Sequence, residues 1–381
     1  MTASGSGAPA GGRRARIGVV GAGWWATEFH IPALLEHPAA ELVAVAEPDK
    51  SRREAAAAHF GLRRAYDSLD ALLDGEDVDG VIIASPSASH FELARRALTA
   101  GLHVLVEKPM TIRSVEAWEL NGLADERSLH LSVGYTYQHT RAAKRLTDVV
   151  AAGELGEVIN IASVFSSSVE AYLRGMPDAY RSQRDFRVTT PLPATYSTVS
   201  EGGGQAYAQS THVAGMICHV TGLAPTSVFA CLNRQDLEVD VAVSAVIRFD
   251  NGASGTLAST GTIPFGQPKQ QTICYYATAG YAVQDLIAGS VDIHYANGRS
   301  EKIAAPGPDG AYPQRAPAQH LCDLITGATA TNPADGRSAA RAVEIVEAIH
   351  LSAQRASPVA VPPHTQPNGN PLAATPKESR Q

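Results

Sequence analysis

A lysine at the end of a buried strand is the first residue whose type and position suit chemistry. The stretch Gly101-Leu102-His103-Val104-Leu105-Val106-Glu107-Lys108-Pro109 is a short apolar run that stops at an acid, a base and a proline. Runs this short read as strands covered on both faces, as in a parallel sheet. Ligands of open α/β sheets collect beyond the carboxyl ends of such strands. Pro109 has no N–H to extend a ladder, and its ring biases Lys108 toward extended backbone. The Lys108 ammonium is thereby held at a strand exit. Ser85-Pro86-Ser87 is another exit, ending the apolar run 78–85, and its hydroxyls can face a cofactor ribose. His90 follows at the start of the next helix, either as part of that site or as a polar neighbour of the helix's first turn.

The element that would hold a cofactor against these groups opens the chain. A strand at 16–20 runs into Gly21-Ala22-Gly23-Trp24-Trp25-Ala26 and then a helical stretch through Leu35. This is a G-x-G-x-x-A turn: Gly21 permits the tight bend, Gly23 lets backbone approach a pyrophosphate, and Ala26 allows close helix packing, with the helix N-terminus toward the anion. The next strand, 41–46, ends in Glu47, close to the distance expected of the acid that binds a ribose 2′-hydroxyl, which points to NAD. Arg52 and Arg53 are the residues that would suit a 2′-phosphate, but they fall on the following helix, where exposed arginines usually form a solvated face. NAD is therefore favoured over NADP.

The 381 residues allow two domains, and 44% hydrophobic with 18% charged residues describes an ordinary soluble globular protein. A formal net charge of −7 gives no basic face for nucleic acid. Cys218, Cys231, Cys274 and Cys322 have no paired metal-type spacing and sit in apolar sequence, which suits reduced, buried thiols in a cytoplasmic protein. No H-E-x-x-H or Ser/His/Asp arrangement is visible, so no metal is expected. The first twelve residues resemble neither a signal peptide nor a membrane span. Strand and helix alternate up to about Gly134, with helices at 91–100 and 114–126 and a strand at 129–134, the pattern of a doubly wound sheet. Beyond it the runs 157–167, 226–232, 237–249, 253–260, 271–277 and 282–295 read as strands without helices between them, with a hairpin turn at Asp250-Asn251-Gly252. That is an antiparallel sheet. A helix at 338–354 places Ala342, Ile345, Val346, Ile349 and Ala353 on one packing face. The expected division is a tail 1–13, a nucleotide domain 14–134, a second domain 135–356, and a C-terminal tail 357–381 rich in Pro, Thr and Asn and without fixed structure.

The sequence resembles the Gfo/Idh/MocA oxidoreductases, named for glucose-fructose oxidoreductase and inositol dehydrogenase, over nearly the whole chain between its tails. The matching residues are the Gly21-to-Ala26 turn, His30-Ile31-Pro32, Ser85-Pro86 with His90, Gly101 to Val104 running into Glu107-Lys108-Pro109, and Val133-Gly134-Tyr135. Gly153 to Val158, Glu201 to Gly204 with His212, and Ala339 to Ala353 continue the match. The resemblance implies an N-terminal Rossmann domain followed by an α+β domain with a large open, mostly antiparallel sheet. One face of that sheet would receive nicotinamide and substrate, and the other would make a homodimer or homotetramer. It implies cofactor contacts from Gly21, Gly23, Trp24, Trp25, Glu47, Ser85, Pro86, Ser87, His90, Glu107, Lys108 and Gln138. It also implies a small carbohydrate or cyclitol as substrate, with no membrane or nucleic-acid partner.

By the same resemblance, His212 accepts the hydroxyl proton, Lys108 polarises the substrate oxygen, and Tyr137 completes the catalytic set, all three also touching the substrate. Relatives often carry an aspartate four residues before the histidine and an acid three after it; here these positions are Ala208 and Gly215. Something else must then set the His212 tautomer, and Tyr207, Gln209 and Tyr137 are the candidates. The long polar stretch 169–200, with Tyr172, Arg174, Tyr180, Arg181, Arg184 and Arg187, reads as a substrate arm, an oligomer-exchanging arm or a solvated loop. Tyr172, Arg174 and Gln209 are its and the helix's expected substrate contacts. Three functions follow. The first is NAD-dependent oxidation or reduction of a secondary hydroxyl of a sugar, glycoside or cyclitol. The second is an NAD-dependent glycosidase working by transient oxidation, elimination, hydration and re-reduction. The third is an NAD-binding regulator without turnover.

Overall fold

The computed structural model describes residues 13–364 apart from 177, 180 and 182–184. Six strands, β1 (Ala15–Val20), β2 (Ala40–Ala46), β3 (Ala65–Tyr66), β4 (Gly80–Ile83), β5 (His103–Val106) and β6 (Leu131–Val133), form one sheet in the order β3-β2-β1-β4-β5-β6. Every neighbouring pair in it is parallel. The apolar runs are continuous because helices cover both faces, and Val81 to Ile83 and Val104 to Val106 have no exposed surface. The covering helices are α1 (Ile31–Glu36), α2 (Lys50–Phe60), α3 (Leu69–Gly75), α4 (His90–Thr99) and α5 (Ser114–Glu126). Asp49 and Ser68 cap α2 and α3 by accepting N–H groups of their first turns.

After α6 (Arg141–Ala151) the second sheet begins: β7 (Val158–Ser166), then past helix α7 (Thr211–Thr221), β8 (Pro225–Asn233), β9 (Ala242–Phe249), β10 (Ser254–Thr260), β11 (Gln271–Ala277), β12 (Gly280–Asp285), β13 (Ser290–Tyr295), β14 (Ser300–Ile303) and β15 (Val359–Ala360). Its order is β14-β13-β12-β11-β7-β10-β9-β8-β15, antiparallel everywhere except β7 against β10. The Asp250-Asn251-Gly252 turn joins β9 to β10 as expected. The run 282–295, by contrast, is two strands. Asp285 Oδ1 accepts the N–H groups of Ile287 and Ala288 and turns the chain between them.

Three further expectations are corrected. The chain beyond Ser357 is structured to His364: Val359 and Val361 are buried, and β15 adds to the edge of the sheet at β8. The Pro/Thr-rich composition concealed that short apolar segment. Cys231 is exposed, because alternation along β8 sends it to the face opposite buried Ala230. The division at 134/135 is also not a clean partition. Helix α8 (Ala316–Thr326) returns to the first sheet, where Ala318, Leu321 and Cys322 pack with Ile17, Val19 and Leu105. Val133 N–H donates to Ala334 O, and the long helix α9 (Gly336–Arg355) then lies between α5 and the second domain. Trp118 on α5 donates to Glu344 on α9 at 2.7 Å. No helix of the described residues is long and apolar enough to cross a membrane.

Candidate active site

The carboxyl ends of β1, β2, β4 and β5 open into a cleft of about 1640 Å³ that continues across the near face of the second sheet. Gly21, at φ 96°, makes the turn after β1, and a Cβ there would stand 2.7 Å from Ala84 O. Gly21, Gly23, Trp24 and Trp25 all line the cleft, at the start of the helical segment that leads into α1. Glu47 ends β2 with its carboxylate turned back on this loop, accepting Ala22 N–H at 2.8 Å and Asp49 N–H at 3.0 Å. Arg52 and Arg53 are spent on backbone carbonyls, of Thr190 and of Glu47 respectively. The residues fit a dinucleotide: a glycine turn at a helix start for the pyrophosphate and an acid at the end of β2 for the ribose.

Lys108 sits where β5 ends, at a cis Lys108–Pro109 bond. Its Nζ donates to Ala208 O at 2.8 Å. Burial lowers its pKa from the ordinary 10.5, opposed by the charge of Glu107. Burial disfavours an ionised Glu107, yet the hydrogen bond from His30 Nε2 at 2.8 Å and the charge of Lys108 hold its carboxyl below the usual 4.5. A side chain at 134 would collide with that carboxylate, which accounts for Gly134. His90 resolves as a tie between strand exits: Nδ1 lies 2.8 Å from Pro109 O and Nε2 2.9 Å from Ser85 O. A neutral imidazole has one N–H for these two acceptors, and burial lowers its pKa. Its ring borders the cleft, as do Ser85, Pro86 and Ser87.

His212 approaches from the second domain. The residues ahead of α7 form a π-type turn, Ala206–Ser210, closed by Thr211 N–H donating to Ala206 O. Asp240 fixes its start, accepting Ala206 N–H at 2.8 Å, and burial pushes this carboxyl up to about 6. At Ala208 it is the backbone carbonyl, not a side chain, that meets the lysine. At Gly215 the Tyr135 ring packs where a Cβ would be. The His212 ring is held by aromatic packing. Tyr135 and Tyr137 meet it edge-on at 6.2 and 5.5 Å, and Phe165 stacks at 6.0 Å. Its Nδ1 is buried with no hydrogen-bond partner among the described residues. Burial, reinforced by the Lys108 charge, lowers its pKa well below 6.5, so the ring is neutral at neutral pH.

The structure brings Lys108, His212, Tyr137, Tyr172 and Gln209 to one cleft. None of the three tautomer candidates acts as one. Tyr207 donates to Ile112 O and stacks on His350, Tyr137 donates to Gln271 Oε1 at 2.9 Å, and Gln209 does not reach the buried Nδ1 of His212. Arg174 does not reach the cleft, because Glu170, Gln235 and Asp236 engage its guanidinium. Gln138 also lies away from it, buried and donating to Gly215 O on α7. Arg187 meets Glu28, and Arg181 is exposed. Tyr180 and Arg184 lie outside the described residues. Reading the sequence missed Phe165, Tyr196, Gln271 and Tyr312 in the lining. Phe165 carried a signal, as an aromatic near the end of β7; Tyr312 carried none, since only the folded chain brings the segment before α8 against Tyr137, with ring centroids 4.6 Å apart.

Residues 15–135 match an oxidoreductase family with an NAD-binding Rossmann fold, and residues 143–283 match the GFO/IDH/MocA C-terminal domain. The chain belongs to the Gfo/Idh/MocA oxidoreductases. Like other members it pairs an NAD-binding Rossmann domain with a largely antiparallel sheet. It is 40% identical over 154 residues to a dTDP-3,4-didehydro-2,6-dideoxy-alpha-D-glucose 3-reductase of Streptomyces violaceoruber, a match over 40% of this chain and 45% of that one. It is 29% identical to a D-xylose 1-dehydrogenase (NADP(+)) of Haloferax volcanii over 69% of this chain and 74% of that one. Its fold is that of levoglucosan dehydrogenase solved with NADH and levoglucosan, with a TM-score of 0.73, 20% identity, and coverage of 92% of this chain and all of the other.

Proposed function

We propose that this oxidoreductase transfers a hydride between NAD and a secondary hydroxyl of a sugar, glycoside or cyclitol. The observation that carries this reading is the convergence of Lys108 and His212, from different domains, on the cleft that the glycine turn opens. The nicotinamide, when bound, supplies the hydride acceptor or donor. Gly21, Gly23 and the start of the following helix would hold the pyrophosphate, and Glu47 the adenosine ribose. In the oxidising direction a neutral His212 takes the hydroxyl proton at Nε2, its Nδ1 being walled in by protein. One N–H of Lys108 is engaged by Ala208 O, which orients the ammonium and leaves its other donors for the substrate oxygen as negative charge develops there. The substrate leaves as a ketone and the proton leaves from His212.

The sugar-directed activities for which the relatives are named support the substrate class. Assembly through the outer face of the second sheet is part of the same proposal. Phe229, Val246, Thr256, Ala162 and Cys274 form one row across five paired strands, with Phe229 and Val246 well exposed. We place the working protein in the cytoplasm, where NAD and sugar substrates meet. The test is Lys108→Ala assayed with NAD and a panel of sugars and cyclitols. Turnover should fall by about 10³ while NAD affinity is unchanged. Unchanged turnover would remove Lys108 from the chemistry, and aglycone release without accumulating NADH would replace net oxidation with redox-neutral hydrolysis.

A further inference from the structure

The cleft continues past Lys108 and His212, and its outer part has a composition of its own. Three loops leave the same end of the second sheet: Ser167 to Val169 after β7, Gly261 to Gln270 between β10 and β11, and Leu286 to Gly289 after β12. Ile263 N–H donates to Ser167 O and Leu286 N–H donates to Gln271 O, so the three form one rim. Apolar side chains face the cleft from each of them: Val169, Phe265, Leu286 and Ile287. Phe265 and Ile287 keep 63% and 45% of their surface exposed. Leu192, 43% exposed, lines the cleft from the arm before Tyr196, and the Tyr137–Tyr312 pair forms its floor beside His212.

Charge points the same way. Among the described residues lining the whole cleft there are three Lys or Arg side chains, Arg52, Lys108 and Lys269, against six carboxylates, Glu47, Asp49, Asp67, Glu92, Glu107 and Glu201. Arg52 is bonded to Thr190 O beside the ribose acid, and Lys108 belongs to the reacting centre. That leaves Lys269, on the exposed loop, as the outer cation. A nucleoside diphosphate needs opposed cations or a helix N-terminus for its two phosphates. Among the described residues the one such cradle in this cleft, at Gly21 to Trp25, is the one proposed above for the dinucleotide.

We propose that the outer cleft is a subsite for an uncharged apolar substituent, so that the substrate is a neutral glycoside with an aryl or alkyl aglycone and not a nucleoside diphosphate sugar. The sugar ring lies over Tyr137 between Lys108 and His212, and its aglycone lies against Phe265, Ile287 and Val169. This deepens the hydride-transfer reading and rests on it for the placement of the ring. The Streptomyces relative, by contrast, is named for a dTDP-sugar.

The experiment is equilibrium binding to the NAD-loaded protein, by calorimetry, of methyl and phenyl glycosides of glucose, galactose and xylose in both anomers, with dTDP-glucose as the charged competitor. For whichever sugar binds, the phenyl glycoside should bind about tenfold more tightly than the methyl one. dTDP-glucose should bind more weakly than either. The double substitution Phe265→Ser with Ile287→Ser should remove most of the phenyl preference while leaving methyl-glycoside and NAD affinities within about twofold. Tighter binding of dTDP-glucose, or a phenyl preference that is absent or survives the double substitution, overturns the proposal. Because binding is read separately from NADH formation, an aglycone preference without turnover would count against hydride transfer alone.

Discussion

The two groups proposed to act on the substrate are held in opposite ways. Lys108 is fixed by polar contacts: a carbonyl accepts its Nζ, and Glu107 beside it is itself held by His30. His212 is fixed by shape, with three aromatic rings around it and no hydrogen bond to its buried Nδ1. An ammonium at a domain seam is costly unless paired, so its position is specified by acceptors. A neutral imidazole is cheaper to bury, and close packing alone can orient it. Where a carboxylate would have tied the histidine to polar partners, Ala208 instead hands its carbonyl to the lysine.

That contrast can be broken at either end. His212→Phe keeps the packing and removes the base, so turnover should fall by about 10² to 10⁴ with the fold retained. The same substitution tests the pH behaviour. The folded pKa of His212 lies well below 6.5, so the unfolded chain binds its proton first and this residue's contribution to stability is lost as pH falls below 6.5. The fall of the melting temperature between pH 6.5 and 5 should therefore be shallower in His212→Phe, and an unchanged slope would mean the ring is not buried neutral. In the wild-type protein kcat/KM should hold through pH 6.5 and drop only in more acid solution, with an alkaline limb set by Lys108 below 10.5.

On the polar side, Asp240→Ala removes the acceptor that begins the Ala206–Ser210 turn and should cost about 1–2 kcal/mol in denaturant unfolding. By loosening Ala208 O it should also lower kcat about tenfold while leaving NAD affinity alone. A loss of stability with kcat untouched would show that the carbonyl does not position Lys108. The smallest effect belongs to Tyr137→Phe. The phenol is pushed well above 10 by burial and donates to Gln271, so its loss should change kcat less than about threefold. A drop of about 10² would make it a proton carrier and the packed-histidine account wrong.

Much of this was legible because the first domain is built from local signals. The glycine turn, the acid at the end of β2 and the Glu107-Lys108-Pro109 exit each lie within one strand–loop unit, where periodicity and turn residues determine the geometry. The second domain reads as antiparallel for the same reason, although the turn inside 282–295 escaped because an Asx turn at Asp285 leaves little compositional trace. What stayed hidden depends on contacts distant in sequence. Arg174 was a reasonable substrate ligand until Gln235 and Asp236, some sixty residues away, took its guanidinium. Gln138 falls beside Tyr137 in sequence, yet it points at α7 because neighbouring residues of a short 3₁₀ turn face different ways. The outer rim is assembled from three loops, so no stretch of sequence announces it.

The path of the chain between the two layers also restricts how the enzyme can work. It leaves the first layer after β6, returns with α8, and leaves again along α9, which is itself pinned to α5 through Trp118 and Glu344. Two bodies stitched at three places do not swing about a single hinge. Opening and closing then fall to the three rim loops, and the cadence of catalysis would be set by how quickly those few segments let a product go.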